Sequence, residues 1–320
     1  MITLTQYKDT VQDKWDTSAV IDELVKSSVL LDSLEWDDTV TPTGKSFPYM
    51  YTREKTESSA AFRTVGDNYT PSDALTENVT AEVKILGGNY TVDRAIAKAS
   101  KNGFIDQVEY QMANKIKAVK ATFSDAIING DATTNPKEFD GLDKILTGSD
   151  TEFTSQVDLS TSAKVDANYG AFIDELDGVI SEMDGEPTFI MGNNKMITKI
   201  KAVARRAGQY QETKDDFGRT ISHYGNAILL DLGAKPGSSN PIVPIAEDGT
   251  THVKTTDLYF VRLGRDGFHG ITLDGQMIDV VTPDFGIEAA THADGLVEMY
   301  GAVVLKRTKA AAVLRGIKIG

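Results

Sequence analysis

Four histidines, His223, His252, His269 and His292, are the first places to look for chemistry in this 320-residue chain. Imidazole binds zinc and moves protons near neutral pH, but both roles need partners at fixed spacing. No two of the four sit at metal-ligand spacing on one element, and there is no His-Glu-x-x-His pattern. Each reads as an ordinary surface or half-buried residue, with His252 and His269 in turns. The acidic stretches at Asp215-Asp216 and Asp231 lack the alternating oxygen ligands around a glycine that calcium requires. Cysteine is absent, which removes thiolate zinc sites, disulfides and a cysteine nucleophile together. A Gly-x-Ser-x-Gly elbow is absent as well. No catalytic residue, metal or cofactor is assigned, and the chain reads as a non-enzyme.

Two further constellations carry weaker signals. Phe189-Ile-Met-Gly-Asn-Asn194 followed by an amphipathic run predicts strand, turn and helix, the setting in which a helix N-terminus binds phosphate. It has one glycine and neither dinucleotide nor Walker spacing, so an ordinary turn with Asn193 as helix cap competes with an α/β enzyme holding a phosphate ligand near Asn193. Lys199, Lys201, Arg205 and Arg206, followed by Gly208-Gln-Tyr210, form a basic cluster. Three readings stand for it: phosphate or RNA with Tyr210 stacking, an acidic neighbour, or a solvated helix face.

The elements that would position any site are more legible. Ile105, Val108, Met112, Ile116, Val119, Phe123 and Ile127 recur at steps of three and four, which predicts one helix from Phe104 to Asn129, stopped at Gly130. At 1.5 Å per residue it would be roughly 39 Å long, a strut more than a catalytic scaffold. The extended arm Val83-Lys-Ile-Leu-Gly-Gly-Asn-Tyr-Thr-Val92 feeds it, and Phe139-Asp-Gly-Leu142 follows. Upstream, Ser46 to Glu54 predicts a strand paired with Thr80 to Leu86, and Pro48 restricts it to an edge or arm. The long Thr- and Ser-rich loop between them predicts a hairpin reaching onto a neighbour. Two short amphipathic helices precede Pro42, the first carrying Leu4, Tyr7, Val11 and Trp15 and the second, broader one Val20, Ile21, Leu24 and Val25, with Leu31 and Leu34 beyond.

A second module starts near Asp166. Tyr169, Phe172, Ile173, Leu176, Val179, Ile180 and Met183 mark its first helix; Met196, Ile197, Ile200 and Val203 mark its second. Ala227–Leu230, Leu258–Val261 and Met277–Val281 predict further strands. The strand Val297–Leu305 is expected to pack back on the strut, making the first module discontinuous.

Net charge −14 argues against dedicated nucleic-acid binding. Residues 306–320 carry Lys306, Arg307, Lys309, Arg315 and Lys318 with no acid, while the first eighty residues are acid-rich. Opposite charge at the two ends fits contacts with neighbouring copies or two solvated tails. No apolar run nears 18 residues and no secretory signal opens the chain, so membrane insertion is not expected and synthesis in the cytosol is.

The order of these pieces resembles the tailed-bacteriophage major capsid proteins of the Hong Kong 97 fold, which encapsulin compartments share. The block Tyr51-Thr-Arg-Glu-Lys55, Ala61-Phe-Arg63, Gly66-Asp-Asn-Tyr69, Val83-Lys-Ile-Leu-Gly-Gly88 and Val92-Asp-Arg94 looks like an E-loop entering a spine helix. Ala126-Ile-Ile-Asn-Gly-Asp131 and Phe139–Leu142 look like the end of that helix, and Phe189–Asn193, Gly218-Arg219 and Gly225 like the start of an axial domain. Order and spacing carry the likeness, not any single motif.

The resemblance implies an α+β fold with an N-terminal arm at 1–44, an E-loop at 45–92, a peripheral domain at 93–165 completed by 296–320, and an axial domain at 166–295. It also implies hexamers and pentamers closing into an icosahedral shell around double-stranded DNA, in a virion assembled in host cytoplasm. An encapsulin-like compartment is the alternative. Scaffolding, portal and decoration proteins are implied partners, with scaffolding supplied separately or already cleaved. Some family members crosslink a lysine to a neighbour's asparagine, but no motif assigns that chemistry to Lys84. Inter-subunit contacts are expected at Arg53, Glu54, Lys55, Arg63, Tyr69, Lys84, Arg94, Arg205 and Arg206.

Overall fold

The computed structural model describes residues 29–40, 46–56, 58–100, 106–208, 211–214, 220–247, 253–273, 278–286 and 291–320. In chain order the elements begin α1 (Val29–Ser33), β1 (Trp36–Asp37), β2 (Pro48–Thr56), β3 (Leu75–Glu82), β4 (Lys84–Asp93), α2 (Arg94–Ser100) and α3 (Gln107–Asn129). Next come α4 (Leu142–Leu146), β5 (Glu152–Thr154), α5 (Ser162–Glu182), β6 (Phe189–Gly192), α6 (Asn194–Arg206), β7 (Gln211–Lys214), β8 (Thr220–Tyr224) and β9 (Ala227–Asp231). The chain ends with β10 (Ile245–Glu247), β11 (Lys254–Val261), β12 (Phe268–Thr272), β13 (Asp279–Val281), β14 (His292–Leu305) and β15 (Ala311–Lys318). The first amphipathic helix expected before Pro42 and the Val20–Val25 part of the second lie outside the described residues, while Leu31 in α1 and Leu34 just after it are buried.

The strut is α3. Asp106 caps it, its Oδ1 accepting from the Val108 amide at 2.8 Å. Its 23 residues span roughly 35 Å. Val119, Phe123 and Ile127 are buried, whereas Val108, Met112 and Ile116 are half-buried. Phe104 and Ile105 lie outside the described residues. The helix stops where the chain folds back on it: the Gly141 amide donates to the Gly130 carbonyl at 2.8 Å. A Cβ at Gly141 would come within 2.6 Å of the Ala126 and Ile128 carbonyl oxygens, so only glycine lets Phe139–Leu142 close over the helix end.

Between the arm and the strut lies a further short helix. Asp93 Oδ1 accepts from the Ala95 amide at 2.7 Å and starts the separate helix α2. Thr80–Leu86 is not one strand. β3 pairs with β2, Pro48 opposite Glu82, and the next strand, β4, pairs instead with β14 along its whole length. The break falls at buried Val83, whose amide donates to the Phe47 carbonyl at 3.0 Å.

Two sheets organise the body. The smaller has the order β1-β12-β14-β13, with β4 also paired to β14. The larger has the order β5-β15-β11-β6-β9-β8-β7, with β10 on β11. Successive residues of its central strands alternate between two cores, as the period of a strand requires. Phe189, Met191, Tyr259, Val261, Ala311 and Val313 join a core with Phe123 and Ile127 of α3. Ile190, Leu258, Phe260, Ala312 and Leu314 join one with Phe172 of α5 and Met196 of α6.

This topology shifts the expected boundaries. β14 does pack on the strut, Gly301 lying against the Phe123 ring, but β15 belongs to the larger sheet and not to the unit expected at 296–320. Conversely, β12 and β13, expected within 166–295, belong to the smaller sheet. Sheet partners are chosen by contacts far apart in sequence, which local pattern does not report. Arg315 fastens β15 in place, donating to Asp143 at 2.6 Å and Asp257 at 3.2 Å, and also to Glu152.

Candidate functional site

The β2–β3 ribbon stands apart from both sheets as a two-stranded unit. Side chains alternate across it. Tyr49, Tyr51 and Arg53 face the body, and Met50, Thr52 and Glu54 face outward and are exposed. Buried Tyr49 donates its hydroxyl to Asp37 Oδ2 at 2.8 Å, meets the His269 ring edge-on at 5.9 Å, and lies 5.2 Å from the Lys306 ammonium. Burial pushes the Asp37 carboxyl up, but hydrogen bonds from Thr39 and Tyr49 and nearby Lys306 outweigh it and hold the group at about 2. Tyr51 donates to the Leu305 carbonyl at 3.2 Å. Arg53 donates from Nε to the Lys306 carbonyl at 3.0 Å, and from Nη2 to the Leu305 carbonyl and the Tyr51 hydroxyl, both at 3.1 Å.

Beyond this root, residues 58–74 form an exposed tip. Phe62 and Val65 are fully exposed, and Tyr69 and Leu75 more than half so. Within the tip the Arg63 guanidinium lies 5.3 Å over the Tyr69 ring and donates to the Asp67 carbonyl at 3.3 Å. The Ser59 amide donates to Ser72 Oγ at 3.0 Å. Such large apolar side chains on a projecting arm mark a contact surface rather than a core. Under the root lies an open cleft of about 890 Å³, lined by Tyr51, Arg53, Glu54, Glu182, Asp184 and Lys309 among others.

The remaining residues expected between subunits divide by environment. Lys84 donates to Glu82 at 2.8 Å and to the Pro136 carbonyl at 3.2 Å. Arg94 donates to the Phe285 carbonyl at 2.6 Å. Arg206 pairs with Asp166 and donates to Ser162 at 3.2 Å, tying α6 to the start of α5. Arg205 and Glu54 are exposed. The Lys55 side chain, Tyr210 and His252 lie outside the described residues. Lys199 is taken out of the basic cluster: it donates to the Leu159 carbonyl at 2.7 Å, and burial lowers its ammonium pKa. At the basic C-terminus, Arg307 pairs with Asp184, and Lys306 and Arg315 face groups of their own subunit.

Asn193 does not form a phosphate site. Only 2% exposed, it accepts from the Met196 amide at 2.9 Å and donates to Thr256 Oγ1 at 2.6 Å and the Val243 carbonyl at 3.3 Å. Both of its amide hydrogens are spent within the fold as it caps the helix and ties the strands, so the side chain has no donor left for a phosphate. His269 is not in a turn but in β12, fully buried. Among the described residues no group of three His, Cys, Asp or Glu could hold a metal, and no helix is long and apolar enough to cross a membrane.

Sequence reasoning missed Tyr49, Asp37 and the Leu305–Lys306 carbonyls, and it read His269 as a turn residue. The alternation Tyr49-x-Tyr51-x-Arg53 could have revealed the docking face of the ribbon; nothing local marks Asp37 or His269 as its partners.

A family model described as the SU10 major capsid protein matches residues 39–233, more than half of the chain. Among solved structures, the holo-SrpI encapsulin complex from Synechococcus elongatus superposes with TM-score 0.65 at 16% identity, covering 99% of this chain and 96% of that one. The capsid of a native GTA particle gives 0.62 at 12% identity, covering 98% of each chain. A structure from Mycobacterium phage Bobi gives 0.60 at 12% identity, covering 100% of this chain and 99% of the other. No curated protein matches the sequence. At these identities the structures establish a shared fold, the Hong Kong 97 type.

Proposed function

Because the chain belongs to the SU10 major capsid protein family and is a structural capsid protein, we propose that it assembles through hexamers and pentamers into a closed icosahedral shell around double-stranded DNA. The observation that carries this reading is the ribbon, which projects Phe62, Val65 and Tyr69 away from the fold that bears it. A surface of that kind is satisfied by a neighbouring copy, and a shell repeats the contact many times, each interface roughly 1,600 Å² if of standard size.

Residues 1–44 would be the arm and 45–92 the E-loop. The smaller sheet with α3 would form the peripheral unit, and the larger sheet with α5 and α6 the axial unit. Arg53, Glu54, Lys55, Arg63, Tyr69, Lys84, Arg94, Arg205 and Arg206 are proposed at or near subunit contacts. Packaged DNA would be held without sequence readout, as the acidic balance favours. Scaffolding, portal and decoration proteins would be partners during assembly in host cytoplasm. The likeness to an encapsulin favours a second reading, a compartment with protein cargo.

Light scattering and negative-stain microscopy on the purified protein test the proposal. Uniform hollow particles of megadalton mass are expected, and co-purifying nucleic acid or enzyme cargo separates virus from compartment. Replacing residues 58–74 by a short Gly-Ser turn should leave a folded subunit that no longer closes shells; normal shells from that variant would refute the role given to the tip.

A further inference from the structure

A two-stranded ribbon has little stability alone, so its direction is set by whatever holds its base. Here the base has two anchors. The proximal one is the buried set at Tyr49, whose hydroxyl reaches Asp37, together with the Val83–Phe47 backbone bond. The distal one is the fork of Arg53 with Tyr51 on the carbonyls of Leu305 and Lys306. Those carbonyls lie at the very end of β14, where Leu305 makes the last ladder pair, with Phe268.

From Tyr49 to Arg53 the anchors are roughly 13 Å apart along the strand. One anchor alone fixes a position; two fix an angle. We infer that Tyr51 and Arg53 are positioning residues that latch the ribbon against the end of β14 and thereby set the direction in which its tip meets the next subunit.

The lever is long. From Arg53 to the tip near Val65 the chain could extend roughly 30 Å or more, so a 10° rotation at the root displaces the tip by roughly 5 Å. Side-chain complementarity at an interface does not survive such a shift. Room for the rotation exists, because the open cleft of about 890 Å³ lies directly against Tyr51 and Arg53. The latch also suits its chemistry: a guanidinium spans two successive carbonyls with a fixed fork, and the Tyr51 hydroxyl buttresses it by accepting from Nη2 while donating to Leu305. An ammonium in its place could not span the same acceptors.

The consequence for assembly rests on the shell reading; the latch itself does not. Arg53→Gln, Arg53→Lys and the mild Tyr51→Phe would each be compared with the wild-type chain by hydrogen exchange and by electron microscopy. In Arg53→Gln, amides of 49–56 and 75–82 should exchange at least tenfold faster, while those of α3 and β6 stay at wild-type rates. Arg53→Lys and Tyr51→Phe should fall between. Particles from Arg53→Gln should lose their uniform diameter or remain open. Ribbon exchange unchanged in all three variants would overturn the latch, and uniform wild-type-sized shells from Arg53→Gln would overturn its role in aiming the tip. If the wild-type chain itself forms no shells, the shell reading fails, and the exchange rates alone still decide the latch.

Discussion

His269 is fully buried where the smaller sheet meets the ribbon, edge-on to Tyr49. Burial, with Lys306 nearby, lowers its pKa from 6.5 to about 4. Unfolded, the imidazole takes a proton near 6.5; folded, it resists until about 4. Between these values the unfolded state binds more protons, so stability falls as pH drops through that window and is unaffected by this group above it. The full effect is up to roughly 3 kcal/mol. Urea midpoints measured from pH 7 to pH 4.5 should fall more steeply for wild type than for His269→Phe, which keeps the ring and loses the titration. Parallel curves would show that the histidine is not held neutral. Asp37, at about 2, contributes below this range: its stabilisation is present above 3.8 and is lost progressively as pH falls from there through about 2.

At the scale of elements, β15 shows what a sequence does and does not disclose. Periodicity marked α3, α5 and α6 because a helical stripe is a local property, visible in Val119, Phe123 and Ile127 or in Phe172, Leu176 and Val179. The ribbon was legible from its turn-rich loop and Pro48, and the cap at Asn193 from its place before an amphipathic run. Ala311-Ala-Val-Leu314 has no such period, because both of its faces are buried and it reads as an unbroken apolar run. Its place between β5 and β11 is fixed by partners far away in sequence. The strand therefore stabilises two cores at once. Val313→Ala should lower the unfolding free energy by about 2 kcal/mol and Leu314→Ala by about 3 kcal/mol, although the two side chains point to opposite faces. Chemical denaturation checks this. If either change is close to neutral, that face of β15 is not packed and the strand lies at an edge.

Across the whole molecule, a subunit of net charge −14 must approach many identical copies of itself. The basic side chains at the C-terminal end relieve this less than their sequence position implies, because Arg307 and Arg315 face acids of their own subunit. In the proposed shell, long-range repulsion between subunits would therefore oppose the short-range burial of Phe62, Val65 and Tyr69, which are exposed in the single subunit. The two act over different distances. Repulsion reaches about 10 Å at 0.1 M salt and only about 3 Å at 1 M, whereas apolar burial is not weakened by screening. Added sodium chloride should consequently lower the subunit concentration at which particles first scatter light, several-fold between low and high salt. The wild-type chain and a Phe62→Ser variant should show the same salt trend, with the variant displaced to higher concentration throughout. Salt that instead dissolves preformed particles would mean that exposed ion pairs, with Arg205 and Glu54 the first to substitute, hold the copies together in place of the apolar tip.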